Sequence, residues 1–152
     1  MIVLYAAQDR LWKIADFGLT MRGTRTSNLR QTEGGRGKTG YRAPELLRDE
    51  GSSFNKQVDI WALGCILYEL CTGQRLFKSD LGTYEFALLR KTGAHNLAPI
   101  YPAESTDEIM EILLPLLEYD YRRRPATIAV RKSLFRLYHK SPMIPRHRFF
   151  CG

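Results

Sequence analysis

Two short apolar runs open the chain, Ile2 to Tyr5 and Leu11 to Ala15, separated by Ala6-Ala7-Gln8-Asp9-Arg10. Such runs bounded by polar turn-formers predict a strand, a turn and a strand. From Gly18 to Gly40 the hydrophobic periodicity disappears. Gly23, Gly34, Gly35 and Gly37 are mixed there with Ser, Thr and Arg. This predicts a long irregular loop, and structureless loops of that length are uncommon in compact domains unless they carry function. A short helix from Pro44 to Arg48 follows, with Pro in its first turn.

The strongest helical pattern runs from about Lys56 to Cys71 and stops at Gly73. Ile60, Trp61, Leu63, Ile66, Leu67, Leu70 and Cys71 put apolar groups on nearly all sides, which marks a buried central helix. Further helical patterns span about Leu81–Lys91, Thr106–Leu117 and Ala126–Tyr138. Ser105 or Thr106 suits the N-cap of the third of these, with Glu108 in its first turn. Residues 139–152 hold two Pro and several bases and read as a basic tail. There are no internal repeats. The pattern predicts a mainly α fold: a short β-hairpin, a long loop, then about four to five helices in one domain over residues 1–138.

Composition agrees with a folded chain. Of the 152 residues, 44% are hydrophobic and 26% charged, enough apolar material for one core and too much for a disordered chain. The net charge of +7 raises the question of nucleic acid. Its densest cluster, Arg122-Arg123-Arg124, is short and leads into Pro125 and a helical pattern, and no aromatic-interleaved basic module occurs; no nucleic-acid partner is expected. Cys65 and Cys71 lie six apart in one helical stretch, so their side chains diverge by about 120° and are read as packing residues. With Cys151 the count is odd, which favours a reducing, intracellular setting. The apolar start, Met1 to Ala7, lacks a basic region and is too short for a signal-peptide core, and no membrane partner is expected. His95, His139 and His147 are scattered and do not suggest a metal cage.

Chemistry enters with two triplets, Asp16-Phe17-Gly18 and Ala43-Pro44-Glu45. Between and after them stand Tyr41-Arg42, Asp59-Ile60-Trp61-Ala62-Leu63-Gly64 and Asp120-Tyr121-Arg122-Arg123-Arg124-Pro125, in that order. Together these resemble the C-terminal half of a eukaryotic-type protein kinase catalytic domain of Ser/Thr type, over roughly residues 2 to 138. The resemblance implies ATP and Mg²⁺ as cofactors, with Asp16 as the Mg²⁺ ligand, Phe17 packed beneath it and Gly18 allowing the turn that follows. It implies that Thr39, Gly40, Tyr41, Ala43 and Pro44 seat the substrate backbone. It gives Glu45 and Arg124 as a buried ion pair and Asp59, Trp61 and Gly64 as structural positions of the central helix. The family usually carries Thr at the place of Lys38; Thr39 stands next to it.

The glycine-rich stretch offers a rival phosphate site. Thr32-Glu33-Gly34-Gly35-Arg36-Gly37-Lys38-Thr39 is one residue short of a P-loop, and Gly35, Gly37 and Gly40 fit a G-x-G-x-x-G spacing. A phosphate cradle needs a buried strand before it and a helix starting at the Gly-Lys. The preceding residues are polar and Pro44 interrupts any such helix, so the rival is rejected. Thr20, Thr24, Thr26, Ser27, Thr32 and Thr39 are candidate phosphosites, with Arg22, Arg25, Arg30 and Arg36 at hand to pair with added phosphate.

Against the family pattern, the Gly-rich loop, strand Lys, helix Glu and catalytic-loop Asp and Asn find no match in these residues. The resemblance therefore implies a truncated chain, catalytically incompetent by itself, with an exposed apolar face that needs protein partners or chaperones. The alternative is a pseudokinase remnant acting as a protein-interaction module.

Overall fold

In the computed structural model the described residues are 2–8, 11–15, 30–31, 37–47, 53–92, 97 and 106–140. Strand β1 (Ile2–Ala6) pairs antiparallel with β2 (Leu11–Ala15), Ile2 opposite Ala15 and Ala6 opposite Leu11. Neighbouring strand residues point to opposite faces. Lys13 and Ile14 are both exposed, so the hairpin is open to solvent on both sides at its centre.

A second ladder was not announced by the apolar pattern. Strand β3 (Arg30–Gln31), inside the stretch expected to be irregular, pairs antiparallel with β4 (Ser53–Phe54). Two residues on each side give no alternation to read. The backbone hydrogen bonds alone define it.

Helix α1 (Gln57–Thr72) is the spine. Asn55 Oδ1 accepts from the Gln57 amide at 2.9 Å, satisfying one of the free first-turn donors. The helix stops where Gly73 takes φ 70°, and its amide donates to Glu69 O at 2.8 Å. Ile60, Trp61, Gly64, Cys65 and Tyr68 are buried, the other apolar residues are half-buried, and Leu70 alone among them is exposed. The all-round apolar pattern thus corresponds to a helix wrapped on most of its circumference.

Helix α2 (Asp80–Lys91) starts one residue before the predicted pattern because Ser79 caps it, its Oγ accepting from the Gly82 amide at 3.2 Å. Helix α3 (Thr106–Leu116) packs on α1, and α4 (Thr127–Lys140), which ends two residues later than the pattern suggests, packs on α3. Arg90 ties α2 to the end of α3, donating to the Leu114 carbonyl at 3.3 Å and to the Glu118 carboxylate.

The core forms where these helices meet. Trp61, Cys65, Tyr68, Phe77, Phe86, Leu113 and Leu117 make its centre, and Ile60, Leu116 and Val130 make a second cluster towards α4. Gly64 lets α1 and α3 approach closely: a Cβ there would stand 2.9 Å from Leu117 Cδ2 and 3.0 Å from Leu116 Cβ. Cys65 and Cys71 are free thiols, and burial pushes Cys65 up to about 12. Among the described residues no helix is long and apolar enough to cross a membrane.

Two outcomes follow from this packing. Gly64→Ala forces α1 and α3 apart and lowers stability by roughly 1–3 kcal/mol, the usual cost of overpacking, read as a reduced urea midpoint. The Cys65 thiol has a folded pKa above its unfolded value of 9.0, so its contribution is intact below pH 9.0 and is lost as pH rises towards about 12. Urea unfolding across that window shows stability falling by up to about 1.4 kcal/mol per pH unit from this group. Cys65→Ala removes that part of the slope while the partly buried Cys71 still contributes its own.

Candidate functional site

Residues 37–47 form a loop held against the helices from several sides. It begins with two left-handed turns, Gly37 at φ 89° and Gly40 at φ 83°. At Gly40 the requirement is double, because a Cβ would also come within 2.5 Å of the Phe77 carbonyl oxygen. The Gly40 amide donates to Asp80 Oδ1 at 3.3 Å. Arg42 reaches the same carboxylate, Nη1 to Oδ2 at 2.7 Å, and its Nε donates back to Gly37 O at 2.8 Å. One carboxylate in the first turn of α2 therefore holds both the backbone and a side chain of the loop.

Tyr41 is anchored to α1. Its hydroxyl donates to Glu69 Oε2, and the Arg75 guanidinium lies 5.9 Å from its ring centroid. Partial burial, then the hydrogen bond to Glu69 and that residue's negative charge, push the phenol above its ordinary value. Thr39 and Lys38, just before it, are exposed.

Ala43 and Pro44 are buried, and the short helix expected from Pro44 is a 3-10 turn, Pro44–Leu46; Arg48, its expected end, lies outside the described residues. Its bonds run three residues back, from Leu46 N to Ala43 O at 2.9 Å and from Leu47 N to Pro44 O at 3.2 Å. The tighter turn aims Glu45 inward. Arg124 meets it with both terminal nitrogens, Nη1 to Oε1 at 2.6 Å and Nη2 to Oε2 at 2.7 Å. The exposures of the two side chains are 0% and 4%.

Two charges so deeply buried need every lone pair and proton satisfied. Arg124 Nε donates to Glu118 O at 2.8 Å and Nη1 to Gln57 O at 2.9 Å. The Gln57 side-chain amide donates in turn to Tyr121 O at 3.2 Å and Arg124 O at 2.8 Å. The guanidinium also lies 5.1 Å from the ring centroid of Trp61, which stacks on Phe77 at 5.9 Å. Trp61 Nε1 is buried without a hydrogen-bond partner among the described residues.

The sequence-named residues thus divide. Glu45, Arg124 and Trp61 come together; Gly40, Tyr41, Ala43 and Pro44 line the loop they hold, and Gly64 packs behind. Asp59 stands apart, exposed in the first turn of α1, its carboxyl raised by partial desolvation. Asp16, Phe17 and Gly18 lie outside the described residues, as do the candidate phosphosites other than Thr39. Among the described residues no group of three His, Cys, Asp or Glu could hold a metal. Residues 37–43 contain no helix, so the P-loop geometry is not formed. Sequence reasoning missed Gln57, Glu69, Arg75 and Asp80. Glu69 had a signal, a lone carboxylate deep in the apolar run of α1; the others had none.

The comparison with known proteins covers nearly the same stretch. The protein kinase domain family model matches residues 2–135. The chain is 34% identical over 132 residues to the serine/threonine-protein kinase plk-1 of Caenorhabditis elegans, covering 87% of this chain and 19% of that protein. It is 32% identical over 148 residues to mitogen-activated protein kinase kinase kinase 6 of Homo sapiens, covering 95% and 11%. With the serine/threonine-protein kinase cds1 of Schizosaccharomyces pombe the figures are 33% over 116 residues, 74% and 25%. The chain thus spans a quarter or less of the length of these relatives.

Removing one partner of the Glu45–Arg124 pair leaves an uncompensated buried charge. Glu45→Gln or Arg124→Met therefore destabilises by about 3–5 kcal/mol, whereas the double replacement Glu45→Leu with Arg124→Met costs less than the sum of the single changes. A double-mutant cycle from urea unfolding checks both statements.

Proposed function

The chain belongs to the protein kinase domain family, and from that premise we propose that it forms the substrate-seating part of a serine/threonine protein kinase. In this reading the reaction is phosphoryl transfer from ATP to a protein hydroxyl. The observation that carries it is the segment from Lys38 to Glu45, exposed at Lys38 and Thr39 and clamped from Gly40 onward by Asp80, Glu69 and Arg124. A substrate backbone laid along Thr39–Pro44 meets a surface that does not yield, and rigid positioning is the larger part of what such a lobe contributes to phosphoryl transfer.

Asp16, the Mg²⁺ ligand that the family implies, lies outside the described residues. ATP and Mg²⁺ therefore rest on family membership alone. No His-Arg-Asp tripeptide occurs in the sequence, so these 152 residues supply no matched base for a substrate hydroxyl. By themselves they transfer no phosphoryl group. Exposed Leu81, Tyr84 and Leu88, sharing one face of α2, support protein partners as a second role. The free Cys65 and Cys71 thiols support an intracellular setting.

Incubation of the purified 152-residue chain with labelled ATP, Mg²⁺ and a generic protein substrate tests the reading. No specific transfer is expected. Transfer that Asp16→Ala abolishes would overturn the catalytic silence and show that the residues suffice.

A further inference from the structure

The charges around the loop are unevenly used. Six charged residues lie in residues 38–42 or on the chain beside them: Lys38, Arg42, Arg75 and Lys78 against Glu69 and Asp80. Both carboxylates are committed to the loop itself. Glu69 accepts from the Tyr41 hydroxyl, and Asp80 accepts from the Gly40 amide and from Arg42. Arg42 is thereby neutralised.

The three remaining cations are exposed, and none has a carboxylate partner among the described residues. Each is tied to the loop by the chain. Lys38 accepts the Tyr41 amide on its own carbonyl at 3.1 Å. The guanidinium of Arg75 lies 5.9 Å from the Tyr41 ring centroid. Lys78 follows Phe77, whose carbonyl would stand 2.5 Å from a Cβ on Gly40. With both carboxylates engaged, the cations left without a carboxylate partner among the described residues of this cluster are Lys38, Arg75 and Lys78.

We propose that this rim selects an acidic peptide: a substrate segment laid along residues 39–44 carries Asp, Glu or a phosphorylated side chain close to its acceptor hydroxyl. The proposal rests on the reading of that loop as the substrate seat. Chemically, an ammonium on a flexible stem (Lys38, Lys78) serves as an adaptable point charge, while the Arg75 fork is already oriented by the Tyr41 ring and presents planar donors to a carboxylate or phosphate. Exposed pairs are individually weak, so selection comes from several acting together and is erased by salt.

The test uses the whole chain without ATP, so catalytic silence does not bear on it. Fluorescence anisotropy measures binding of three short Ser-containing peptides, identical except for flanking residues that are acidic, neutral amide or basic, at low and high ionic strength, with single-stranded RNA as a fourth probe. The acidic peptide is expected to bind about tenfold tighter than the neutral one at low salt, with the basic peptide weakest. Lys38→Glu and Lys78→Glu, both surface changes that leave the core intact, remove that advantage, whereas Lys132→Glu on the exposed side of α4 does not. Equal binding of all three peptides overturns the acidic preference and leaves the substrate seat standing. Binding of none overturns both, and RNA binding tighter than the acidic peptide shows that the rim reads a nucleic-acid backbone instead.

Discussion

The Arg124–Glu45 pair is the constraint on which the rest of the structure depends. It joins residues 79 positions apart, and through Gln57, Glu118 and Trp61 it also fixes the start of α1, the turn after α3 and the aromatic centre of the core. A pair this deeply buried is weak evidence for stability, because desolvation offsets most of the attraction. Its effect is specificity. The loop, the spine helix and the polar turn at Asp120–Arg124 are arranged so that every nitrogen of the Arg124 guanidinium has an acceptor. An arrangement that separates the pair strands a charge in apolar surroundings.

Loop 37–47 inherits its shape from that requirement. Glu45 must face inward, so residues 44–46 form a 3-10 turn, and the turn brings Ala43 into the core beside Trp61 and Phe77. Upstream, Asp80 and Glu69 take over as anchors, one from the capped start of α2 and the other from the C-terminal half of α1. Two helices and the Asp120–Arg124 turn therefore hold one short stretch of loop, exposed at its start. Each contribution is an ordinary hydrogen bond or ion pair; together they leave the stretch little freedom, which a surface meant to orient another chain needs.

The helices were legible because burial leaves a period behind. The run from Ile60 to Cys71 announces α1, and Gly73 announces its end. Short pieces were not legible. The Arg30–Gln31 ladder with Ser53–Phe54 has no apolar alternation, and Pro44 signals a helical start without distinguishing a 3-10 turn from an α-helix. The hydropathy pattern begins one residue inside α2 because Ser79 marks its cap by a side-chain hydrogen bond and not by hydropathy. At the site, Glu45 and Arg124 could be named from their motifs. Asp80, Gln57 and Arg75 could not, since each acts through a partner distant in sequence and nothing local distinguishes it from a surface polar residue. Motif reasoning finds the residues whose identity the chemistry demands and misses those that only hold them in place.

Gly40 carries a consequence of a different kind. The atom that a side chain there would strike is the carbonyl oxygen of residue 77, which belongs to the main chain and is present whatever side chain position 77 bears. A defect at Gly40 therefore has no compensating partner among the twenty side chains. Relief requires one of two backbone stretches to move, and the Asp80 carboxylate that bonds both the Gly40 amide and Arg42 opposes that movement. The loop and the start of α2 are in this sense a single rigid part, and they can change during evolution only together.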